Sequence, residues 1–275
     1  MRRPFHSSGW LWSLATFLCI IAIVHSVKFF YPVSKAFNDF HDPHNSTRVA
    51  LVSAISNSGG KYSSEVFQLS LENKLTYAQL HRYDFFVCNC SVKEKWHPIW
   101  GKLMALEDVM GRNYQWTIYL DIDLIITNVN TKMEEFFLDE NFDIVLPIDC
   151  NGINTGVEMF RGTDSNYRLL RSLWTFTKYK QKYFQEQTAL WLAIGRDRNV
   201  ARRVKLIPPG VLQSYQDASC GAKFEDGDFI WHFPGILSSE ELADNMKRYT
   251  KLGTLNNTFD IPKVEGNTCN CTLLT

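Results

Sequence analysis

Apolar and polar positions recur with two different periods along this chain, and each change of period marks an element. Residues 49–56, VALVSAIS, form the short continuous apolar run expected of a fully buried strand, and NSGGKYS after it reads as a loop. Between 64 and 83 the apolar positions fall at Val66, Phe67, Leu69, Leu71, Leu75, Tyr77, Ala78 and Leu80, a mostly helical spacing. DFFVC reads as the next strand, 98–110 as a helix and WTIYLDIDLII as one further strand. A helix over 132–138 and a strand over 142–147 follow. Helices are expected over 163–176 and 185–194, and strands at VKLIP and FIWHF. Ser238 opens a last helix, with Glu241 three residues on as a capping box. Strands and helices alternating in this way predict a single α/β domain, with a mainly parallel central sheet flanked by helices on both faces.

One apolar run has neither period. Residues 10–27, WLWSLATFLCIIAIVHSV, are uncharged and long enough to cross a bilayer as a slightly tilted helix. No small-x-small cleavage site ends the run, which predicts an uncleaved signal anchor. The expected layout is a cytoplasmic tail (1–9), a transmembrane anchor (10–27), a Pro-containing stem (28–47) and a folded domain (48–275). Arg2 and Arg3 on one side face Lys28 and Lys35 on the other, so charge alone leaves the orientation open. Four Asn-x-Ser/Thr acceptors, at Asn45, Asn89, Asn256 and Asn270, favour a lumenal position for everything after the anchor. Apart from Cys19 within the anchor there are six cysteines, an even number, as a lumenal disulfide set requires, although their pairing is open. Cys88-Asn-Cys90 and Cys269-Asn-Cys271 would alternatively suit a four-thiolate zinc site, which an oxidising lumen disfavours. The formal net charge is zero and no long basic run appears, so nothing here steers nucleic acid.

Asp121 and Asp123 interrupt the otherwise apolar stretch WTIYLDIDLII. Carboxylates are expensive to bury unless something cationic pairs with them. In α/β sheets ligands collect beyond the carboxyl ends of strands, and residues two apart on an extended chain share a face. Two such carboxylates repel unless a cation bridges them, and oxygen ligands suit Mg²⁺ or Mn²⁺. By itself Asp-x-Asp fits a solvated turn equally well.

Several ordered blocks carry a more specific signal. They are ENKLTYAQLHRYDFFVCN (72–89), HPIWGKLMALEDVM (97–110), WTIYLDIDLIITN (116–128), GINTGVEMFR (152–161), YFQEQTALW (183–191) and FIWHFPG (229–235). In this order they resemble glycosyltransferase family 34, the Golgi α-galactosyl-, α-mannosyl- and α-xylosyltransferases of GT-A fold. The resemblance implies a type II Golgi membrane enzyme. It would move a sugar from UDP-galactose, GDP-mannose or UDP-xylose to a hydroxyl of a glycan acceptor (glycoprotein, polysaccharide or glycolipid), with retention and with Mn²⁺ or Mg²⁺ as cofactor.

By the same resemblance Asp123 and His232 would ligate the metal, and Asp121 would contact the metal or the donor ribose. Lys102, Ser53 and Gly235 would lie on the donor side. Lys102 would neutralise charge on the departing diphosphate, unless it is an ordinary surface lysine. Asn154 would orient sugar hydroxyls, while Glu186 and Gln187 would lie under the anomeric carbon. Same-face departure and attack, or a covalent intermediate on Glu186, both remain open. Where the family often carries a basic residue after its His-Phe-x-Gly block, this chain has Ile236-Leu237-Ser238-Ser239, which leaves the diphosphate to Lys102 or Lys61. Two other readings compete. One is a haloacid-dehalogenase-type phosphatase with Asp121 as nucleophile and EDGD (225–228) as its distal acidic motif, although Ile125 stands where Thr is usual. The other is a non-catalytic, membrane-tethered sugar-binding protein on the same fold.

Overall fold

The computed structural model describes residues 48–55, 62–182, 184–236, 238–253 and 267–272. The expected tail, anchor and stem lie outside these residues, as do Asn45, Asn256 and Lys61. Among the described residues no helix is long and apolar enough to cross a membrane.

The chain runs β1 (Val49–Ile55), α1 (Ser64–His81), β2 (Asp84–Ser91), a 3₁₀ turn (Pro98–Trp100) leading into α2 (Gly101–Met110), then β3 (Trp116–Leu120) and β4 (Leu124–Ile126). Next come α3 (Glu134–Phe137), β5 (Ile144–Asp149), β6 (Gly152–Ile153), β7 (Val157–Arg161) and α4 (Asp164–Leu173). A second 3₁₀ turn (Thr177–Tyr179) precedes α5 (Gln185–Arg196), α6 (Arg198–Ala201), β8 (Val204–Ile207), β9 (Gln213–Tyr215), β10 (Ile230–His232), α7 (Ser239–Gly253) and β11 (Asn267–Thr272).

The main sheet has the order β11-β2-β1-β3-β7-β5-β6, with β8 added in parallel on β5. β11, β2, β1 and β3 are parallel, whereas β7 runs antiparallel to both β3 and β5. A small second sheet has the order β4-β10-β9. Strands of the main sheet are buried on both faces, which is why their sequences read as continuous apolar runs. Ala50, Val52, Phe86 and Tyr119 pack on one side with Leu103, Leu106, Leu170 and Leu190 from α2, α4 and α5. Val49, Leu51, Phe85, Ile118 and Leu120 pack on the other with Tyr77, Phe136 and Phe137. A third cluster joins Val66 of α1 and Leu242 and Met246 of α7 to Ile125, Trp231 and Phe233 beside the small sheet.

One expectation needs correction. WTIYLDIDLII is not one strand: it breaks at Asp121–Asp123, and its halves β3 and β4 join different sheets. The apolar content is the same on either side, so composition gives no sign of the change of partner. The cysteines form disulfides as expected, Cys88–Cys269, Cys90–Cys271 and Cys150–Cys220, and the alternative zinc site does not arise. β11 lies in register on β2 with Cys269 opposite Cys88 and Cys271 opposite Cys90, so each pair meets across one rung of the ladder. At α7 the Ser238 hydroxyl accepts from the Glu241 amide as expected, while the Glu241 carboxylate accepts from Gln216.

Candidate active site

The turn between β3 and β4 is built by pairings on both sides of it. The Asp121 amide donates to Gly156 O at 2.9 Å, extending the β3–β7 ladder by one rung. Past the turn, β4 pairs antiparallel with β10 so that Leu124 faces His232, and the Phe233 amide donates to Asp123 O at 2.8 Å. These rungs bring Asp121, Asp123 and His232 together, with their ligand atoms all within 4.8 Å of one another. Asp123 and His232 are buried, and His232 Nε2 lies 3.5 Å from Asp123 Oδ1. The Tyr62 hydroxyl donates to Asp123 Oδ2 at 2.7 Å. Burial and the neighbouring carboxylates hold that phenol far above its ordinary range.

The metal fit rests on this donor set. His232 Nε2 is the ring nitrogen that faces the Asp123 carboxylate, as a ligating nitrogen would, and Nδ1 is buried with no hydrogen-bond partner in the protein. Two carboxylates and one imidazole suit a hard to borderline divalent cation such as Mn²⁺. The other cysteine-containing clusters, at Cys88, Cys269 and Cys271 and at Asp149, Cys150 and Cys220, have their thiols tied up in disulfides.

Along β3 the odd positions, Thr117 and Tyr119, face α2, and Asp121 continues that series. Lys102, on the first turn of α2, meets it there. Its ammonium lies 3.3 Å from Asp121 Oδ1, 3.3 Å from Glu186 Oε1 and 3.7 Å from Glu158 Oε1, and 4.8 Å from the centre of the Tyr119 ring. It also donates to Thr155 O at 2.8 Å. At 2% exposure Lys102 is no ordinary surface lysine. Burial pushes its ammonium down, but the Asp121 and Glu186 carboxylates, with smaller contributions from Tyr119 and Glu158, outweigh that and hold it well above its usual range. A buried cation of this kind is stable only because carboxylates surround it.

Glu186 opens α5 and is buried against Lys102 and Thr155, whose hydroxyl donates to Glu186 Oε1 at 3.2 Å. Burial raises its carboxyl above the ordinary range, and Lys102 partly opposes this. Gln187 is half-buried and its Oε1 accepts from the Thr155 amide at 3.3 Å. Asn154 uses both ends of its amide within the loop: Nδ2 donates to Asp149 Oδ2 and Oδ1 accepts from the Gly156 amide, each at 2.8 Å. Ser53, expected on the donor side, is fully buried and donates to Leu120 O at 2.7 Å, beneath the aspartate turn. Gly235 is exposed with φ +84° and nothing within 4 Å of where a Cβ would stand, so its backbone is open to a ligand.

Lys102 therefore links the aspartates to Glu186, two groups that lie far apart in sequence. Sequence reasoning missed Thr155, Glu158 and Tyr62. Glu158 gave the same signal as Asp121, a carboxylate in an apolar strand. It pairs with Tyr119 across β3–β7, is fully buried, and finds no hydrogen-bond donor for either oxygen. Burial, opposed by Lys102 and reinforced by Glu186 and Asp121, raises its carboxyl to about 8. The acidic run 225–228 plays no part here: Asp228 accepts from Ser214 Oγ at 2.6 Å and from the Glu225 amide at 3.0 Å, closing a turn.

The galactosyl transferase GMA12/MNN10 family matches residues 45–143 and 140–242. The chain is 24% identical over 258 residues to a probable alpha-1,2-galactosyltransferase, gmh1, of Schizosaccharomyces pombe, covering 80% of this chain and 78% of that protein. It is 22% identical over 258 residues to a probable alpha-1,6-mannosyltransferase, MNN10, of Saccharomyces cerevisiae, covering 74% and 66%. Among solved structures, a glycosyltransferase involved in the glycosylation of the major capsid of PBCV-1 superimposes with a TM-score of 0.57 at 14% identity. The match covers 73% of this chain and 99% of that one, a likeness of fold.

Proposed function

The chain belongs to the galactosyl transferase GMA12/MNN10 family, a family of glycosyltransferases, and on that premise we propose that it is a metal-dependent, retaining hexosyl- or pentosyltransferase of the Golgi lumen. Membership excludes the phosphatase reading. The donor would be UDP-galactose, GDP-mannose or UDP-xylose, the acceptor a glycan hydroxyl and the product an α-linkage. Relatives named as galactosyl- and mannosyltransferases support a hexose donor first. Three disulfides among the described residues suit an oxidising lumen, and the apolar segment 10–27 would provide the anchor.

The observation that carries the proposal is the pair of ion contacts that Lys102 makes, 3.3 Å to Asp121 and 3.3 Å to Glu186. They hold a metal-ligating triad and a buried carboxylate at one fixed spacing, as pre-organised catalysis requires. Asp121, Asp123 and His232 would hold the ion, which when bound supplies Lewis-acid neutralisation of the leaving diphosphate. The exposed backbone at Gly235 lets a diphosphate approach without a side chain in the way. Glu186, kept in place by Lys102 and Thr155, offers negative charge to the anomeric centre. Gln187, braced on Thr155, would position the acceptor hydroxyl.

The test is hydrolysis of a panel of UDP- and GDP-sugars by the full chain with and without Mn²⁺, beside a generic phosphate ester. The expected result is Mn²⁺-dependent cleavage of one nucleotide sugar, abolished in Asp123→Ala. Inactivity towards every nucleotide sugar would instead favour a sugar-binding role.

A further inference from the structure

Helix α5 carries Gln187 on its first turn and Trp191 four residues later. Residues so spaced lie on one face, about 6 Å apart along the axis. The segment 152–155 runs beside that face. Its Thr155 amide donates to Gln187 Oε1, and a Cβ built on Gly152 would stand 3.9 Å from Trp191 Cε2. Gly152 has φ +104°, so this edge of the segment is glycine for backbone reasons, and it brings no side chain over the indole.

Trp191 is 47% exposed, unlike every other large apolar residue along α5. It borders a shallow depression of about 300 Å³ shared with Leu192, Ile194, Gly195 and Arg196. Gly195 leaves the floor open, with nothing within 4 Å of its Cβ position. The Arg196 guanidinium stands 5.2 Å over the Phe176 ring, so it borders the depression and does not fill it. Exposed apolar residues occurring singly, as Leu80 and Leu138 do, need no explanation. An exposed indole one helical turn from a residue expected to position the acceptor, beside an apolar hollow, is a different case.

A pyranose has one face of C–H groups and a rim of hydroxyls. The electron-rich face of an indole is the protein surface that complements the C–H face, and the separation along α5 is close to one sugar unit. We propose that Trp191 and the adjoining face of α5 form an acceptor subsite, on which a pyranose next to the reacting sugar of the acceptor glycan stacks. The proposal rests on the transferase reading above and adds to it a requirement for an oligosaccharide acceptor.

The experiment uses the full chain, the donor that it hydrolyses, and matched monosaccharide and linear trisaccharide glycosides of α-mannose, α-galactose and β-glucose. The wild type prefers a trisaccharide to its monosaccharide. Trp191→Ala raises the trisaccharide KM about tenfold relative to the donor KM and abolishes that preference, while Trp191→Phe restores most of it. Calorimetric binding of the same trisaccharide weakens in parallel. Leu80→Ala, the loss of a distant exposed apolar side chain, changes neither KM. Absence of a trisaccharide preference in the wild type, or an unchanged acceptor KM in Trp191→Ala, overturns the subsite while leaving donor hydrolysis and the transferase reading intact. Absence of donor hydrolysis in the wild type overturns both.

Discussion

Gly156 lacks a side chain because the His232 ring occupies the space that one would fill. A Cβ there would lie 2.2 Å from His232 Cε1 and 2.8 Å from each ring nitrogen. In Gly156→Ala the imidazole must swing away from Asp121 and Asp123, and Mn²⁺ affinity should fall on the order of 10–100-fold, as when a ligand's supporting contacts are lost. Electron paramagnetic resonance titration of Mn²⁺ into the full chain reads this directly, and wild-type affinity in the variant would refute the assignment of His232. Glu158 gives a prediction of another kind. Its folded carboxyl is raised to about 8 from 4.5, chiefly by burial, so the folded state binds the extra proton between those values. Its stabilising contribution is full below about pH 4.5 and is lost as pH rises towards 8. Glu158→Gln should therefore be more stable relative to wild type at pH 8 than at pH 5.5 in urea titrations; equal differences at both would mean that Glu158 stays ionised. Asp121 and Asp123 were legible as carboxylates in an apolar run, whereas the roles expected of His232 and Glu186 came from the family resemblance and not from the pattern. Glu158 carries the same signal as the two aspartates, a carboxylate in an apolar strand. Thr155 and Tyr62 could not be read, since their roles come from partners on elements remote in sequence.

Strand β4 is three residues long and forms one edge of the small sheet, yet it must hold the aspartate turn still. β10 pairs with one side of it. The other side is capped by α1: Asn73 Nδ2 donates to Ile126 O at 2.9 Å, Asn73 Oδ1 accepts from the Ile126 amide at 2.7 Å, and Lys74 Nζ donates to Leu124 O at 3.1 Å. A side-chain amide thus replaces a neighbouring strand, and the open edge is closed. Lys74 is fully buried, and burial lowers its ammonium to about 7 although Asp123 and Asp121 pull the other way. Asn73→Ala leaves an amide and a carbonyl of β4 unpaired and should cost about 2–3 kcal/mol in chemical denaturation. A loss within the error of the measurement would show that water or a shifted β4 replaces the amide. Asn73 and Lys74 belong to a block that was recognisable in the sequence, but their task was not, because the strand they cap lies some fifty residues away. The same remoteness hid the break in WTIYLDIDLII. Both halves are apolar and buried, and only the pairing of β4 with β10 says where one sheet ends and the other begins.

Across the whole molecule the α/β alternation foretold the sheet and its two helical layers, whereas β11 and the cysteine pairing needed the register. Cys88–Cys269 and Cys90–Cys271 each span 181 residues and fasten the last strand to the outer side of β2. Cys150–Cys220 spans 70 residues and ties the turn after β5 to the segment after β9. That third bridge lies beside the site: Asp149 accepts from Asn154 at 2.8 Å and from the Tyr215 hydroxyl at 3.4 Å, and the Tyr215 ring is 6.0 Å from that of His232. The bridges should therefore separate stability from function. Cys269→Ser with Cys271→Ser loses closures of the longest loops and should cost about 2–5 kcal/mol. Its kcat/KM, measured well below the transition, should stay within about twofold of wild type, since β1 and β2 stand between β11 and the strands that carry the site. Cys150→Ser with Cys220→Ser loosens Asp149 against Asn154, and its kcat/KM should fall by about tenfold or more as the loop beside Gly156 loses its bracing. Turnover lost equally in both variants, at temperatures where both are folded, would mean that β11 reaches the site through α2, which starts against Cys90 and carries Lys102 one residue further on.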